Sequence, residues 1–357
     1  MVLICSVRRD LRYFGAKEFV MRRYWLGLFL IVLVACGESN ETRMQRFLAQ
    51  GNDMVRKRSY GEAENYFNQA LKFDSCYAEA WNNKATLYFN QQKYAEAVDG
   101  YTHALTCHPD YTDAYFNRAH AYYETREYYN ALADLERFKK IKPDTATVFF
   151  LEGLIHTRLR KYDDALAAFD RAERLDRANA EILVNKGTVL YYKKQFNEAR
   201  TALQQALKMK TEANAYNVLA MIETETGNYP QALNWINLAL NLHPDDAFFL
   251  NNRGYLYLVM NNLPKGLDDI DQSIRLDPYN SWSYRNKGVY YLLDNKPDDA
   301  IRLFDQAEKM DTAIDKIHLY KAKAYAQKGD KSKACNEYTL ALKAGEMQQE
   351  EFGKLCR

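Results

Sequence analysis

The chain has 357 residues, 47% of them hydrophobic and 27% charged, a balance that argues against a disordered protein. Its 15 glycines and 7 prolines are too few for a long turn-rich β architecture, while 28 tyrosines and 17 phenylalanines supply much aromatic area to bury. The net charge is +2, but six of the 49 basic and two of the 47 acidic residues precede Cys36. The remainder carries 43 basic and 45 acidic residues, a net charge of −2, which argues against nucleic acid as the main partner.

Trp25 to Ala35 form an unbroken apolar run of 11 residues, whereas spanning a bilayer takes about 20. Arg22 and Arg23 precede the run, and the polar stretch GESNETR follows Cys36. A positive start, a short apolar middle and a small residue before the cut describe a signal peptide over residues 1–35. Leu33-Val34-Ala35-Cys36 resembles the bacterial lipobox. That resemblance implies cleavage before Cys36, a lipid on Cys36, and residues 36–43 as a lipidated linker. The alternative is a cleaved signal followed by a chance cysteine. Met21-Arg22-Arg23 would open a compact leader, so Met21 is the expected initiator, and whether residues 1–20 are translated stays open. Gly37 stands where an Asp would resemble an inner-membrane retention signal. The expected location is therefore the cell envelope, lipid-anchored, at the outer membrane and facing the periplasm.

The rest of the chain repeats. The string Tyr-x-x-Ala recurs at Tyr60, Tyr94, Tyr128 and Tyr162, a spacing of 34 residues. Extended, the frame gives units at 44–77, 78–111, 112–145, 146–179, 180–212, 213–246, 247–280, 281–314 and 315–345; only the fifth, at 33 residues, departs from the period. Position 8 of each unit is Gly or Ala, position 20 is Ala except for Gly266, and position 24 is large and apolar, from Phe67 to Tyr338. Bulky residues of one helix would fill gaps left by small ones on the other. Position 27 is Ala in seven units, Ser273 in one and Phe138 in another. Pro109, Pro143, Pro244 and Pro278 close inter-unit loops, where a missing N–H costs little.

This pattern resembles the tetratricopeptide repeat (TPR) family. The second unit carries it best, through Trp81, Ala85, Tyr88, Tyr94, Ala97, Tyr101, Ala104 and Pro109. The resemblance covers 44–345. It implies an all-α fold, a right-handed TPR α-solenoid of about nine helix–turn–helix repeats, with a concave groove lined by the first helix of each pair. Two irregularities stand out. Phe138 overfills a small site, so the third unit is expected to be splayed. The short fifth unit is expected to change the pitch and divide the array near 208–213.

Residues 346–357 read as a C-terminal capping helix, amphipathic through Met347, Phe352 and Leu355. The ending resembles that of TPR lipoproteins whose last helix is stapled back, which implies a disulfide between Cys335 and Cys356 in an oxidising periplasm. The alternative is two unpaired thiols. Cys76 and Cys107, near inter-repeat loops, are read as buried free thiols, with a pairing between them left open.

No nucleophile elbow, zinc-binding helix motif, Cys-x-x-Cys, phosphate loop or dinucleotide fingerprint occurs, and the six histidines are scattered. No catalytic residue, metal site or cofactor is expected, and no small-molecule substrate. The feature that suggests binding is position 6, which is Asn83, Asn117, Asn185, Asn252 and Asn286 in five units. An amide both donates and accepts, so it can pair with a peptide backbone. The row resembles the asparagine ladder in the TPR region of protein O-GlcNAc transferases, which implies a hold on extended chains; the alternative is that these residues belong to the repeat's own consensus. Phe116, His120, Tyr255 and Arg285 join them as candidate partner-binding residues, since aromatics and Arg dominate interfaces.

Two functional readings follow. One is a non-catalytic interaction scaffold in the cell envelope, tethered by its N-terminal lipid and binding partner proteins or peptides in the groove. The other is a periplasmic, chaperone-like binder of peptides and unfolded chains that uses the asparagines. A glycan-uptake lipoprotein ranks below both because the units are contiguous. An enzyme ranks last because no segment outside the repeats could form a catalytic domain.

Overall fold

A computed structural model describes residues 38–346 and 350–356. Cys36 and the leader lie outside the described residues. Nineteen helices and no strand occur among them. They are α1 (Asn40–Arg56), α2 (Tyr60–Phe73), α3 (Ala78–Asn90), α4 (Tyr94–Cys107), α5 (Thr112–Glu124), α6 (Tyr128–Ile141), α7 (Ala146–Arg158), α8 (Tyr162–Leu175), α9 (Ala180–Tyr192) and α10 (Phe196–Met209). Then follow α11 (Ala213–Glu225), α12 (Tyr229–Leu242), α13 (Ala247–Val259), α14 (Leu263–Leu276), α15 (Ser281–Leu293), α16 (Pro297–Met310), α17 (Ile317–Lys328), α18 (Lys331–Lys343) and α19 (Glu350–Leu355). Odd-numbered α1–α17 each pack on the next helix as a hairpin, giving a tetratricopeptide-type α-solenoid.

The second helix of each hairpin buries one stripe. In α16, Ala300, Phe304 and Ala307 are fully buried at i, i+4 and i+7, and polar residues cover the other face. First helices are enclosed on more sides. In α9, Ile182, Leu183, Val184, Gly187, Val189 and Leu190 are all buried, because this helix meets its own partner and the preceding hairpin. The small–large complementarity read from positions 8 and 24 is the packing contact itself. A Cβ on Gly288 would sit 2.5 Å from Phe304 Cε1, so only hydrogen lets the two helices close.

Two regularities join successive elements. Lys186, Lys287 and Lys321, at position 7, reach back to Asp170, Asp271 and Asp305 at 2.7, 2.7 and 2.9 Å, tying each hairpin to the one before. The turn inside every hairpin holds position 15 in the left-handed region. Arg58, Gln92, Arg126, Arg160, Lys194, Asn261 and Asn295 occupy it alongside only two glycines, Gly227 and Gly329. That conformation ends a helix by satisfying its last carbonyls, at a cost of about 1 kcal/mol or more for a residue with a Cβ.

The chain divides into two compact units between Ile141 and Lys142. The division does not fall near 208–213, so that expectation is corrected. The missing residue of the fifth repeat is taken up in the loop 210–212, and α11 stacks on both α10 and α9. The boundary instead follows α6, the helix that carries Phe138. Its ring lies 5.9 Å from Phe116 of the same hairpin, where other repeats have a small residue. Two other bounds differ from the repeat frame. α1 starts at Asn40, capped by Ser39, whose Oγ accepts from the Thr42 N–H at 3.1 Å. α17 starts at Ile317, after Lys316 in the left-handed region.

All four cysteines among the described residues are paired. Cys335 is joined to Cys356, fixing α19 to α18, and the Phe352 ring stacks on Tyr338 at 4.8 Å. Cys76 is joined to Cys107, so the reading of these two as free thiols is corrected. The signal was present in the sequence. Cys76 lies in the loop leaving one second helix and Cys107 ends the next, so a single period places both at one end of adjacent hairpins.

Candidate functional site

First helices carry the candidate residues, and the structure shows how each amide is used. Asn117 Nδ2 donates to Asn82 Oδ1 at 2.9 Å, Asn252 to Asn217 at 2.8 Å, and Asn286 to Asn251 at 2.9 Å. Each runs from position 6 of one hairpin to position 5 of the hairpin before it, 35 residues earlier. Asn83 reaches Asn52 Oδ1 at 3.0 Å. These asparagines therefore do form a ladder, but its rungs are bonds between repeats. Asn286 is 1% exposed and Arg285 6% exposed, which removes both from the groove surface; their assignment as partner-binding residues is corrected. Asn185 alone among the five bonds only within its own helix, to the Glu181 carbonyl at 2.9 Å.

In the first unit, Phe116, His120 and Phe89 cluster on the first-helix face. The His120 ring stands edge-on to Phe89 at 5.8 Å and to Phe116 at 5.7 Å. Its Nδ1 is buried without a hydrogen-bond partner, and burial pushes the imidazole below its usual range although Glu124 opposes the shift. This is an apolar contact surface with one latent polar atom.

In the second unit, much of the first-helix face is filled by the unit's own side chains. The Arg285 guanidinium lies 4.5 Å from the Trp282 ring centroid, 5.6 Å from Tyr255 and 5.8 Å from Tyr320, and donates to the Asp315 carbonyl at 3.0 Å. Tyr255 and Tyr320 share a hydrogen bond of 3.1 Å between their hydroxyls. Lys316 donates to both Glu225 oxygens, at 2.8 and 3.1 Å, across 91 residues of chain. Burial works against the Lys316 ammonium, yet Glu225 and its neighbours more than compensate and hold its pKa above the usual lysine range. Burial likewise keeps the Tyr191 and Tyr320 phenols protonated well beyond ordinary tyrosine.

Beside this filled region a groove of about 850 Å3 stays open. Val184, Asn185 and Thr188 of α9 line it with Asn217, Val218 and Met221 of α11. Asp176, Glu181 and Glu212 stand around it with a single cation, Lys210, which is engaged by Glu212 at 2.6 Å. Among the described residues no group of three or more His, Cys, Asp or Glu side chains could hold a metal.

Models of the tetratricopeptide repeat match residues 78–111, 116–180, 184–247 and 270–302. No curated protein matches in sequence. Solved structures share the fold at low identity. The human IFIT1 dimer, solved with PPP-AAAA, is 16% identical, with a TM-score of 0.59 over 84% of this chain and 76% of its own. A chain of the APC/C hetero-tetramer Cut9–Hcn1 is 14% identical, with 0.58 over 95% and 82%. PilF of Pseudomonas aeruginosa is 17% identical, with 0.52 over 59% and 96%. Matched by repeat models over more than half its length and built of the same stacked hairpins, the chain belongs to the tetratricopeptide repeat family, whose fold serves protein–protein interaction.

Proposed function

We propose that the protein is a non-catalytic interaction scaffold of the bacterial cell envelope, anchored by a lipid on Cys36 and recruiting partner proteins through its first-helix faces. One observation carries this reading. Every described helix except α19 belongs to a repeat hairpin, and α19 is bound to the last of them. The chain thus offers protein-binding surface and little else. Two disulfides support an oxidising compartment, in keeping with export past the inner membrane. The chaperone-like reading loses its main support, because the ladder amides are engaged by one another.

Two experiments test it. Cells expressing the full chain are grown with radiolabelled palmitate, beside a Cys36→Ser variant. Label in the envelope fraction that vanishes with Cys36→Ser is the expected result, and unlabelled wild-type protein sinks the anchor. Whole-cell crosslinking and purification through a C-terminal tag then identify bound chains by mass spectrometry. One or two defined partners are expected. A broad set of unrelated chains would restore the chaperone-like reading, and a measurable hydrolytic or transferase activity of the purified protein would end the non-catalytic one.

A further inference from the structure

At Asn117, Asn252 and Asn286, position 6 donates to position 5 of the hairpin before it; at the other junctions this rung does not form, and two of those flank the open groove. For Asn185 that counterpart is Phe150, which has no acceptor. For Val218 it is Val184, and two apolar side chains meet instead. Asn185 turns its N–H onto its own helix, lines the groove, and has a side-chain carbonyl not used in a rung. Asn217 gives its oxygen to Asn252, but its Nδ2 meets only the Met221 sulfur, at 3.7 Å. A thioether is a weak acceptor, so the Asn217 N–H at the groove wall is poorly satisfied by it. The open groove lies between α9 and α11, where Asn185 and Asn217 stand outside a complete rung.

We propose that this groove takes one extended peptide segment carrying a basic side chain. The Asn217 amide supplies a donor and the Asn185 carbonyl an acceptor, which is what a peptide main chain requires of a wall it lies against. Val184 and Val218 give the floor an apolar surface between them. Asp176, Glu181 and Glu212 outweigh Lys210 around the groove, so a lysine or arginine is favoured there and an acidic residue repelled. Residues further along the same unit do not compete, because Arg285, Tyr255 and Tyr320 already occupy one another. The proposal rests on the scaffold reading and narrows it to one groove and one class of ligand.

The test uses the full chain in detergent and three fluorescein-labelled peptides of about ten residues. Their Gly-Ser flanks are identical, and the centre is Val-Arg-Val, Val-Gln-Val or Val-Glu-Val. Anisotropy is read at low and at high salt. The arginine peptide binds at least about tenfold tighter than the glutamate peptide at low salt, and the gap narrows at high salt. Asn185→Ala weakens all three peptides several-fold. Glu181→Lys, a change at an exposed side chain, erases the preference for arginine. Glu62→Lys, on α2, changes neither. Equal affinity for the three peptides, no binding of any, or unchanged arginine binding in both groove variants overturns the proposal. Crosslinking separates this failure from that of the scaffold. Partners that still co-purify with Asn185→Ala and Glu181→Lys leave the scaffold standing without this groove, whereas a wild-type chain that captures nothing removes the scaffold itself.

Discussion

Asn252 Nδ2 lies 2.8 Å from Asn217 Oδ1, so the first helix of one hairpin is hydrogen-bonded to the first helix of the hairpin before it. The same contact recurs one repeat later between Asn286 and Asn251. There, Asn286 also accepts from Arg285 Nε at 3.1 Å and Nη2 at 2.8 Å. Removing this amide strands the Asn251 side-chain acceptor and two donors of the buried Arg285 guanidinium together. Asn286→Ala is expected to cost about 2–3 kcal/mol, read from the urea midpoint of the full chain. Asn185→Ala, which removes a bond only to its own helix, is expected to stay within about 0.5 kcal/mol. Equal effects at the two sites would show that the ladder does not hold the repeats together.

Glycine at position 8 gives a second contrast. At Gly288 an added methyl would overlap the Phe304 ring at 2.5 Å, and Phe304 is fully buried and cannot retreat. Gly288→Ala is expected to destabilise by about 1–3 kcal/mol through overpacking. A Cβ on Gly61, in α2, meets nothing within 4 Å. Gly61→Ala is expected to stabilise by a few tenths of a kcal/mol, from the lower chain entropy of the unfolded state. Urea midpoints of the two variants, moving in opposite directions, check both.

These sites also show what the sequence could and could not reveal. Gly288 against Phe304 was legible because volume complementarity is a property of residue identity, and it recurs in nine units. The asparagines were half legible. Their period is plain, but positions 5 and 6 border both the groove and the preceding hairpin, and an amide suits either neighbour. The pairing depends on a 35-residue offset that only the stacked helices create. The left-handed position 15 was hidden because seven of its nine residues are not glycine.

The disulfides act on different parts of the array. Each closes a short loop, with separations of 31 and 21 residues, and removal of either is expected to cost roughly 3 kcal/mol. The consequence should be local, since repeats contact only their neighbours. α19 has six residues, too few to persist as a helix alone, and it holds on through Cys356 and Phe352. Cys356→Ser is expected to raise amide exchange in α19 and the end of α18 while leaving α1–α4 unchanged. Cys107→Ser is expected to do the reverse. Loosening of the whole chain in either variant would contradict a nearest-neighbour array.

His120 sets a pH dependence whose sign follows from its surroundings. Phe89 and Phe116 crowd the ring and, among the described residues, Nδ1 has no hydrogen-bond partner and Glu124 is the charge that acts on it. Burial lowers the folded-state pKa below the unfolded value of 6.5. The folded state then binds fewer protons than the unfolded state between the two values. Above the unfolded pKa both states hold a neutral ring, and the full stability is present. As pH falls through 6.5 towards the folded pKa, the unfolded chain takes up the proton first and stability declines. Once both forms are protonated the loss from this group is complete. Urea midpoints of the wild type are therefore expected to drop between pH 7.5 and pH 5.5. His120→Gln, which cannot titrate, is expected to drop less over the same interval. If the wild type and His120→Gln fall in parallel, the imidazole is not held neutral against the aromatic wall, and the first-helix face of the first unit admits more water than this packing implies.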